Sequence, residues 1–260
     1  MARRLGRRKE PSREKYVLHG QNQVDSGIFD EKTMIYLSKF YNKGIVGKLG
    51  YPIARGKEAD VYIAEPGASK AVKGMDRVIL KFFRIETSSF NKMQDYIIGD
   101  RRFTKKATRK SKLGVITEWC RKEFINLSAA AKAGINAPVP LMFNGSILAM
   151  TFIGDGTKPS PQLKDIDLPD PESVLDLILK DVRLLYKNKL VHADLSEYNI
   201  LIKDGKPYII DMGQAVDAQH PKAGEFLVRD VKNMLNYFER RYGVKRVLES
   251  EMKIVKGSKN

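Results

Sequence analysis

Cysteine is nearly absent from this chain: Cys120 is the single one among 260 residues. A lone thiol excludes an internal disulfide and any zinc site built from thiolates. Long hydrophobic runs are also missing. No apolar stretch approaches the roughly 20 residues that a membrane-spanning helix needs. The basic opening, MARRLGRRKEPSREK, is followed by no apolar segment, so it does not read as a secretory signal. No internal repeat is visible. These absences lead to the expectation of a soluble protein in a reducing compartment, the cytoplasm, with no membrane partner.

Acidic residues are in short supply. There are 31 Asp and Glu against 47 Lys and Arg, giving a formal net charge of +16 and a pI near 9.7. Such an excess points to acidic partners, whether nucleic acid, nucleotide or a ribonucleoprotein surface. A solubility bias spread over the surface gives the same sum. The charge is clustered, however. One group is Arg3, Arg4, Arg7, Arg8, Lys9, Arg13 and Lys15; another lies between Arg84 and Lys112. Both lack apolar periodicity and read as flexible arms.

Hydrophobic residues make up 42% of the chain, enough for one large domain or two small lobes. The segment FDEKTMIYLSKFYNKG predicts a helix capped by Asp30, with Met34, Leu37 and Tyr41 on one face and Gly44 at its end. Pro52 opens an extended segment. ADVYIAE and RVILKFFRI read as strands, with EPGASKAVKGMD joining them. TEWCRKEFINLSAAAKAG predicts a helix capped by Thr117 and closed by Gly134, with Trp119, Glu123 and Leu127 on one stripe. PVPLMFNG and SILAMTFIG follow as strands around an Asn-Gly turn. Residues 154–171 read as a linker or surface loop. PESVLDLILKDVRLLYKNK is a long amphipathic helix, NILIKDGKPYIIDMG gives two strands around an Asp-Gly turn, and a last helix runs over about 224–242.

This order is an α+β pattern, strand-rich first and helix-rich second. The expected division is a basic flexible tail at 1–25, an accessory helix at 26–50, a first lobe at 51–153 with a basic flexible insert at 84–114, and a second lobe at 154–260. The hinge would fall near residues 152–154.

Several fragments carry chemistry. ARGKEADVYIA fits the frame G-x-G-x-x-G-x-V with only its middle glycine, Gly56, kept; by itself it reads more readily as an ordinary hairpin turn. In VILK, Lys81 stands on a strand where a lysine can reach nucleotide phosphates. Glu123 has two readings. Facing inward it needs a partner, and Lys81 is the natural one; facing outward it is solvated beside Arg121 and Lys122. HADLSEYN fits H-x-D-x-x-x-x-N, and IIDMG follows with a D-x-G turn. Asp194 can orient or accept the proton of an attacking hydroxyl. Asn199 and Asp211 offer hard oxygens suited to magnesium bound to phosphate. His192, between apolar neighbours, reads as packing rather than titrating. Glycine loop, strand lysine, helix glutamate, H-x-D…N and D-x-G stand in the order of a two-lobed protein kinase.

At GKEADVY, LVHADLSEYNIL, IIDMGQAV and RDVKNMLNYF the chain resembles the RIO kinases, an atypical serine/threonine protein kinase family, and their type-one branch. The likeness runs from about Phe29 to the C-terminal helix. It implies a two-lobed protein-kinase-like fold with a trimmed C-lobe that lacks the activation segment and peptide-binding helices. No A-P-E motif follows Asp211, and Ala193 replaces the usual arginine. The resemblance further implies ATP with magnesium, or manganese, as cofactors. Gly56, Lys57, Val61, Lys81, Glu123 and Met150 would form the nucleotide site, with backbone groups of Thr151 and Ile153 on the adenine. Asp194 would be the catalytic base; Asn199 and Asp211 would bind the metal; Asp211 is also where the family is proposed to carry a transient aspartyl-phosphate. Family members act in small ribosomal subunit maturation, which makes the pre-ribosomal subunit and its RNA expected partners. Phosphate would go to a protein substrate or to the chain itself, with Ser88, Ser89, Thr104, Thr108 and Ser111 as candidates.

Two departures stand out. Thr151 occupies the place of a usual glutamate, and Ser196 that of the lysine which serine kinases aim at the γ-phosphate. Loss of that cation should slow transfer to protein and leaves ATP hydrolysis open as the working activity. Two other functions compete. A small-molecule phosphotransferase of the aminoglycoside or choline type shares H-x-D…N, but its cationic substrates want an acidic cleft, not a chain at +16. A nucleotide-gated RNA-binding assembly factor with little kinase activity would use the basic arms and treat ATP as a conformational ligand.

Overall fold

The structure is a computed structural model, which describes residues 29–84, 93, 96–103 and 111–257. The expected basic tail lies outside the described residues, as do Ser88, Ser89, Thr104 and Thr108.

Helix α1 (Glu31–Asn42) begins where Asp30 accepts a hydrogen bond from the Thr33 N–H at 2.8 Å, and Gly44 follows it at a φ of +65°. Leu37 and Phe40 are its buried apolar residues, with Met34 and Tyr41 half-buried beside them. Five strands then form one antiparallel sheet in the order β1-β2-β3-β5-β4: β1 (Val46–Arg55), β2 (Ala59–Pro66), β3 (Val78–Phe83), β4 (Pro140–Asn144) and β5 (Ile147–Thr151). β1 begins six residues before Pro52, inside the segment expected as an accessory helix. Its register slips on both sides of Pro52, a residue that cannot donate to the ladder.

β3 is buried at every position. Alternate side chains enter two different cores. Val78, Leu80 and Phe82 pack with Leu37 and Phe40 of α1; Ile79 and Phe83 join the larger core on the opposite face, the face that also carries Lys81.

That larger core is closed by α2 (Lys112–Lys132). The helix starts earlier than the sequence pattern suggests. Ser111, not Thr117, is the N-cap and accepts from the Gly114 N–H at 3.3 Å, while Val115 and Ile116 are already buried. Residues 112–114 therefore belong to the helix, not to a flexible insert. Met93, Ile97 and Phe103 from the same basic stretch are also buried in the core, so the insert is packed at these points.

The linker expected at 154–171 holds structure. A small hairpin, β6 (Gly154–Asp155) with β7 (Lys158–Pro159), precedes a 3-10 turn at Leu163–Asp165 whose Leu163 is fully buried. α3 (Pro171–Lys187), capped by Asp170, buries Val174, Leu175, Ile178, Leu179, Val182 and Leu185 at helical spacing. β8 (Leu190–Val191) leads into the motif-bearing loop. β9 (Ile200–Lys203) and β10 (Lys206–Ile209) turn at Asp204-Gly205, both with positive φ, as a two-residue hairpin requires. A short strand the sequence did not suggest, β11 (Val216–Asp217), pairs with β8. α4 (Ala223–Tyr242) is followed by a further helix, α5 (Leu248–Lys256), where the sequence reading ended on α4. Among the described residues no helix is long and apolar enough to cross a membrane.

Candidate active site

The site forms where β3, α2 and the loops around β9 and β10 converge. Lys81, in mid-β3 opposite Val61 of β2 and Leu148 of β5, extends Nζ to both Glu123 oxygens, at 2.9 Å to Oε1 and 2.8 Å to Oε2. The same Nζ lies 3.0 Å from Asp211 Oδ1. Glu123 is buried, which settles its two readings in favour of the inward one. Burial works against the Lys81 ammonium, but Asp211 and Glu123 together hold it charged and raise its pKa. Burial pushes Glu123 up to about 7, with Lys81 opposing and Asp211 adding to the rise. The bidentate contact favours the charged pair, because the ammonium is bound more closely to Glu123 than to Asp211.

Asp211 follows β10 with a φ of +60°, a conformation that costs a side-chain-bearing residue energy and is held only when its surroundings demand it. Its side chain is half exposed to the cleft. The protein around it works upward on its pKa, yet Lys81 and a hydrogen bond from the Gly213 N–H leave it below the usual aspartate value. The backbone of Asn199 accepts from the Ile210 N–H at 2.9 Å, which brings Asn199 next to Asp211. Asn199 Nδ2 donates to the Asp194 carbonyl at 2.8 Å, so Oδ1 is the oxygen left to offer a cation.

The loop holding Asp194 is clamped from α4. Asp230, buried, accepts from the Ala193 N–H at 2.7 Å and the Leu195 N–H at 3.0 Å. Arg229 donates to the Ala193 carbonyl, and Asn233 to that of Leu195 at 3.1 Å. These bonds fix Ala193 at a φ of +64°. His192 donates from Nε2 to the Ile210 carbonyl at 3.2 Å and accepts at Nδ1 from the Asp194 N–H at 3.3 Å, the structural part expected of it. Gln214 Nε2 donates to Asp194 Oδ2 at 2.9 Å. Burial raises the Asp194 pKa, with Asp211 and Asp230 adding and His192 and Arg229 opposing.

The remaining candidates lie along the sheet. Gly56 turns the chain between β1 and β2, its N–H donating to the Ala59 carbonyl at 2.9 Å, and Lys57 beside it is exposed. Val61 is half-buried opposite Lys81. Met150, nearly buried, stands opposite Ile79. Thr151 ends β5; its N–H donates to the Val139 carbonyl and its hydroxyl oxygen accepts from the Val139 N–H, at 2.9 Å each. Ile153 accepts at its carbonyl from Ser160.

Asp230 and Gln214 escaped the sequence reading. The signal for Asp230 was an aspartate between the inward Leu227, Val231 and Met234 of an amphipathic helix. Gln214 stood in IIDMGQAV without a role.

Among the described residues no cluster of three or more His, Cys, Asp or Glu could cage a metal by itself. One carboxylate, Asp211, beside one amide oxygen, Asn199, is the donor set magnesium uses when phosphates supply other oxygens. A cavity of about 440 Å³ opens from Asp194 and Gln214, walled by Tyr96, Trp119 and Phe226, with Lys222 on its lining.

Comparison with known proteins agrees with this geometry. The RIO domain family model matches residues 60–252. A RIO-type serine/threonine-protein kinase Rio1 of Haloferax volcanii is 36% identical over 92% of this chain and 81% of its own length. Its counterpart from Methanocaldococcus jannaschii is 39% identical over 82% of this chain and 71% of its own. A crystal structure of the Rio2 kinase-ADP/Mg2+-phosphoaspartate complex from Chaetomium thermophilum superposes with a TM-score of 0.65 at 26% identity, covering 85% of this chain; this chain spans 66% of the Rio2 chain. The five-stranded sheet and helical second half are thus a kinase-like fold, and the chain belongs to the RIO domain family of atypical serine/threonine protein kinases.

Proposed function

We propose that this chain moves the γ-phosphoryl group of magnesium-bound ATP onto a protein hydroxyl, on a substrate or on itself. The observation that carries the reading is Lys81 Nζ held between Glu123 and Asp211, beside the loop of Asp194 and Asn199. Lys81 positions the nucleotide phosphates, and Glu123 keeps its ammonium in place. Gly56, Lys57, Val61 and Met150 line the nucleotide, with the Thr151 carbonyl and the Ile153 N–H on the adenine. Asp211 and Asn199 would hold the metal, which would supply neutralisation of charge on the transferring phosphoryl group. Manganese, also hard and divalent, suits the same oxygens. Asp194 orients the acceptor hydroxyl and takes its proton; its raised pKa and the cavity opening from it support that role.

A second reading is favoured by Ser196, whose carbonyl accepts from the Asn199 N–H and whose side chain brings no cation to the γ-phosphate. Asp211 itself then attacks phosphorus, ADP leaves, and water cleaves the aspartyl-phosphate, so that ATP is hydrolysed. The Rio2 structure that contains a phosphoaspartate lends this support. In either form, action in the cytoplasm on the maturing small ribosomal subunit and its RNA is consistent with the net charge of +16. Mass-spectrometric mapping after incubation with magnesium-ATP tests both readings. Phosphate on a hydroxyl supports the kinase, phosphate on Asp211 the ATPase, and normal turnover by Asp211→Ala overturns the site.

A further inference from the structure

Beside Glu123 on α2 stands a second charged residue with no exposed surface at all, Lys122. A buried ammonium is costly unless hydrogen-bonded. Lys122 Nζ donates to the Gly213 carbonyl at 2.7 Å and to that of Ala215 at 2.5 Å, and lies 5.2 Å from the centre of the Trp119 ring. One turn further along α2, Asn126 Nδ2 donates to the Met212 carbonyl at 2.8 Å and the Ala215 carbonyl at 2.9 Å. Asn126 Oδ1 accepts from Arg102, which is paired to Asp100 at 2.6 Å. Asp100 in turn accepts from the Asp217 N–H.

Three backbone carbonyls just after Asp211 are thus bound by side chains of the helix that carries Glu123. One connection is direct. The Met212 carbonyl and the Gly213 N–H belong to a single planar peptide. Asn126 holds the carbonyl edge of that plane, and its N–H edge is the Gly213 group that helps keep the Asp211 pKa low. Gly213 also sits where an added Cβ would come within 3.0 Å of Trp119 Nε1, so the same helix presses on the segment.

We propose that Lys122 and Asn126 are positioning residues that set the orientation of Asp211 by fixing the backbone that follows it, Asn126 at the Met212–Gly213 peptide and Lys122 at the Gly213 and Ala215 carbonyls. This rests on the phosphoryl-transfer reading above and deepens it. The two carboxylates that flank Lys81 then behave as one body: α2 cannot swing away without pulling the segment after Asp211 with it. In this chain the link is built from buried side chains rather than from a segment that must first be modified.

The test compares nucleotide affinity with and without magnesium, by calorimetry on the full chain, for Asn126→Ala and Lys122→Met. Both variants keep metal-free ATP binding close to that of the parent but lose magnesium-dependent tightening by about tenfold or more, the scale on which groups behind metal ligands act. Turnover falls in parallel. Leu127→Ala, buried on the same helix and without a polar contact to the segment, is the control for mere loosening and retains the tightening. If Asn126→Ala or Lys122→Met does not fold, Arg102→Gln, which removes the outer anchor of Asn126, shows the same selective loss in smaller measure. Equal weakening with and without magnesium, or no change in any variant, overturns the proposal. A parent protein that binds no nucleotide would overturn the phosphoryl-transfer reading instead.

Discussion

The Lys81 ammonium and the Glu123 carboxylate, 42 positions apart in the chain, meet at 2.8 Å on the face of β3 opposite α1. Neither is at the surface, so each is there because of the other. Asp211 competes for the same ammonium. Lys81→Met therefore removes the anchor of two carboxylates at once. Phosphoryl transfer should fall by about two orders of magnitude or more, the scale of a lost electrostatic donor. The stability cost is smaller, about 1–3 kcal/mol, because Glu123, already pushed up to about 7, takes a proton when its partner is gone. Steady-state turnover and urea unfolding separate the two effects.

On the proposed function, Asp194 should set the acid side of the pH profile. Its ionised form would accept the proton, so kcat/KM should rise with pH through its pKa, which burial raises above the ordinary aspartate value. Gln214 donates to the carboxylate and so favours the charged form. Gln214→Ala should shift the rise to still higher pH, and Asp194→Asn should abolish turnover. A rise unmoved by Gln214→Ala would remove Asp194 as its source.

The thiol of Cys120 is buried, and its pKa is raised well above the ordinary value, by burial first and Glu123 second. Thiolate is the reactive species. A disulfide exchange reagent should leave the native protein untouched and modify it at the rate of unfolding. Rapid labelling under native conditions would show α2 to be loosely seated.

Gly145 has a φ of +57°, and an added Cβ would collide with the Tyr36 ring of α1. Asn144 Nδ2 also donates to the Tyr36 carbonyl at 3.0 Å, so this turn ties α1 to the edge of the sheet, beyond the packing of Leu37 and Phe40. Gly145→Ala should cost about 2 kcal/mol from the left-handed backbone and the clash together. Thermal unfolding measures it.

The motifs were legible because they combine residue types that rarely stand together without cause: Lys81 in an apolar strand, and Asp194, Asn199 and Asp211 between buried Leu, Val and Ile. The distances were not, since Glu123 reads identically whether it faces Lys81 or water. The start of α2 was hidden because Ser111, Lys112 and Gly114 lie within a basic run whose charge masks Val115 and Ile116. β11 and α5 are too short to show a period. Lys122 gave no sign at all. A lysine beside arginine and glutamate on a helix reads as solvated, and only the tertiary approach of Gly213 and Ala215 makes it an interior residue.

The cleft sets Glu123 and Asp211 around one ammonium, that of Lys81, with the Asp194 carboxylate acting on Asp211. A chain that is strongly cationic in sum thus places two carboxylates on the single ammonium of Lys81. On the proposed function, a triphosphate that carries its counterion would be held there more tightly than the same molecule without it.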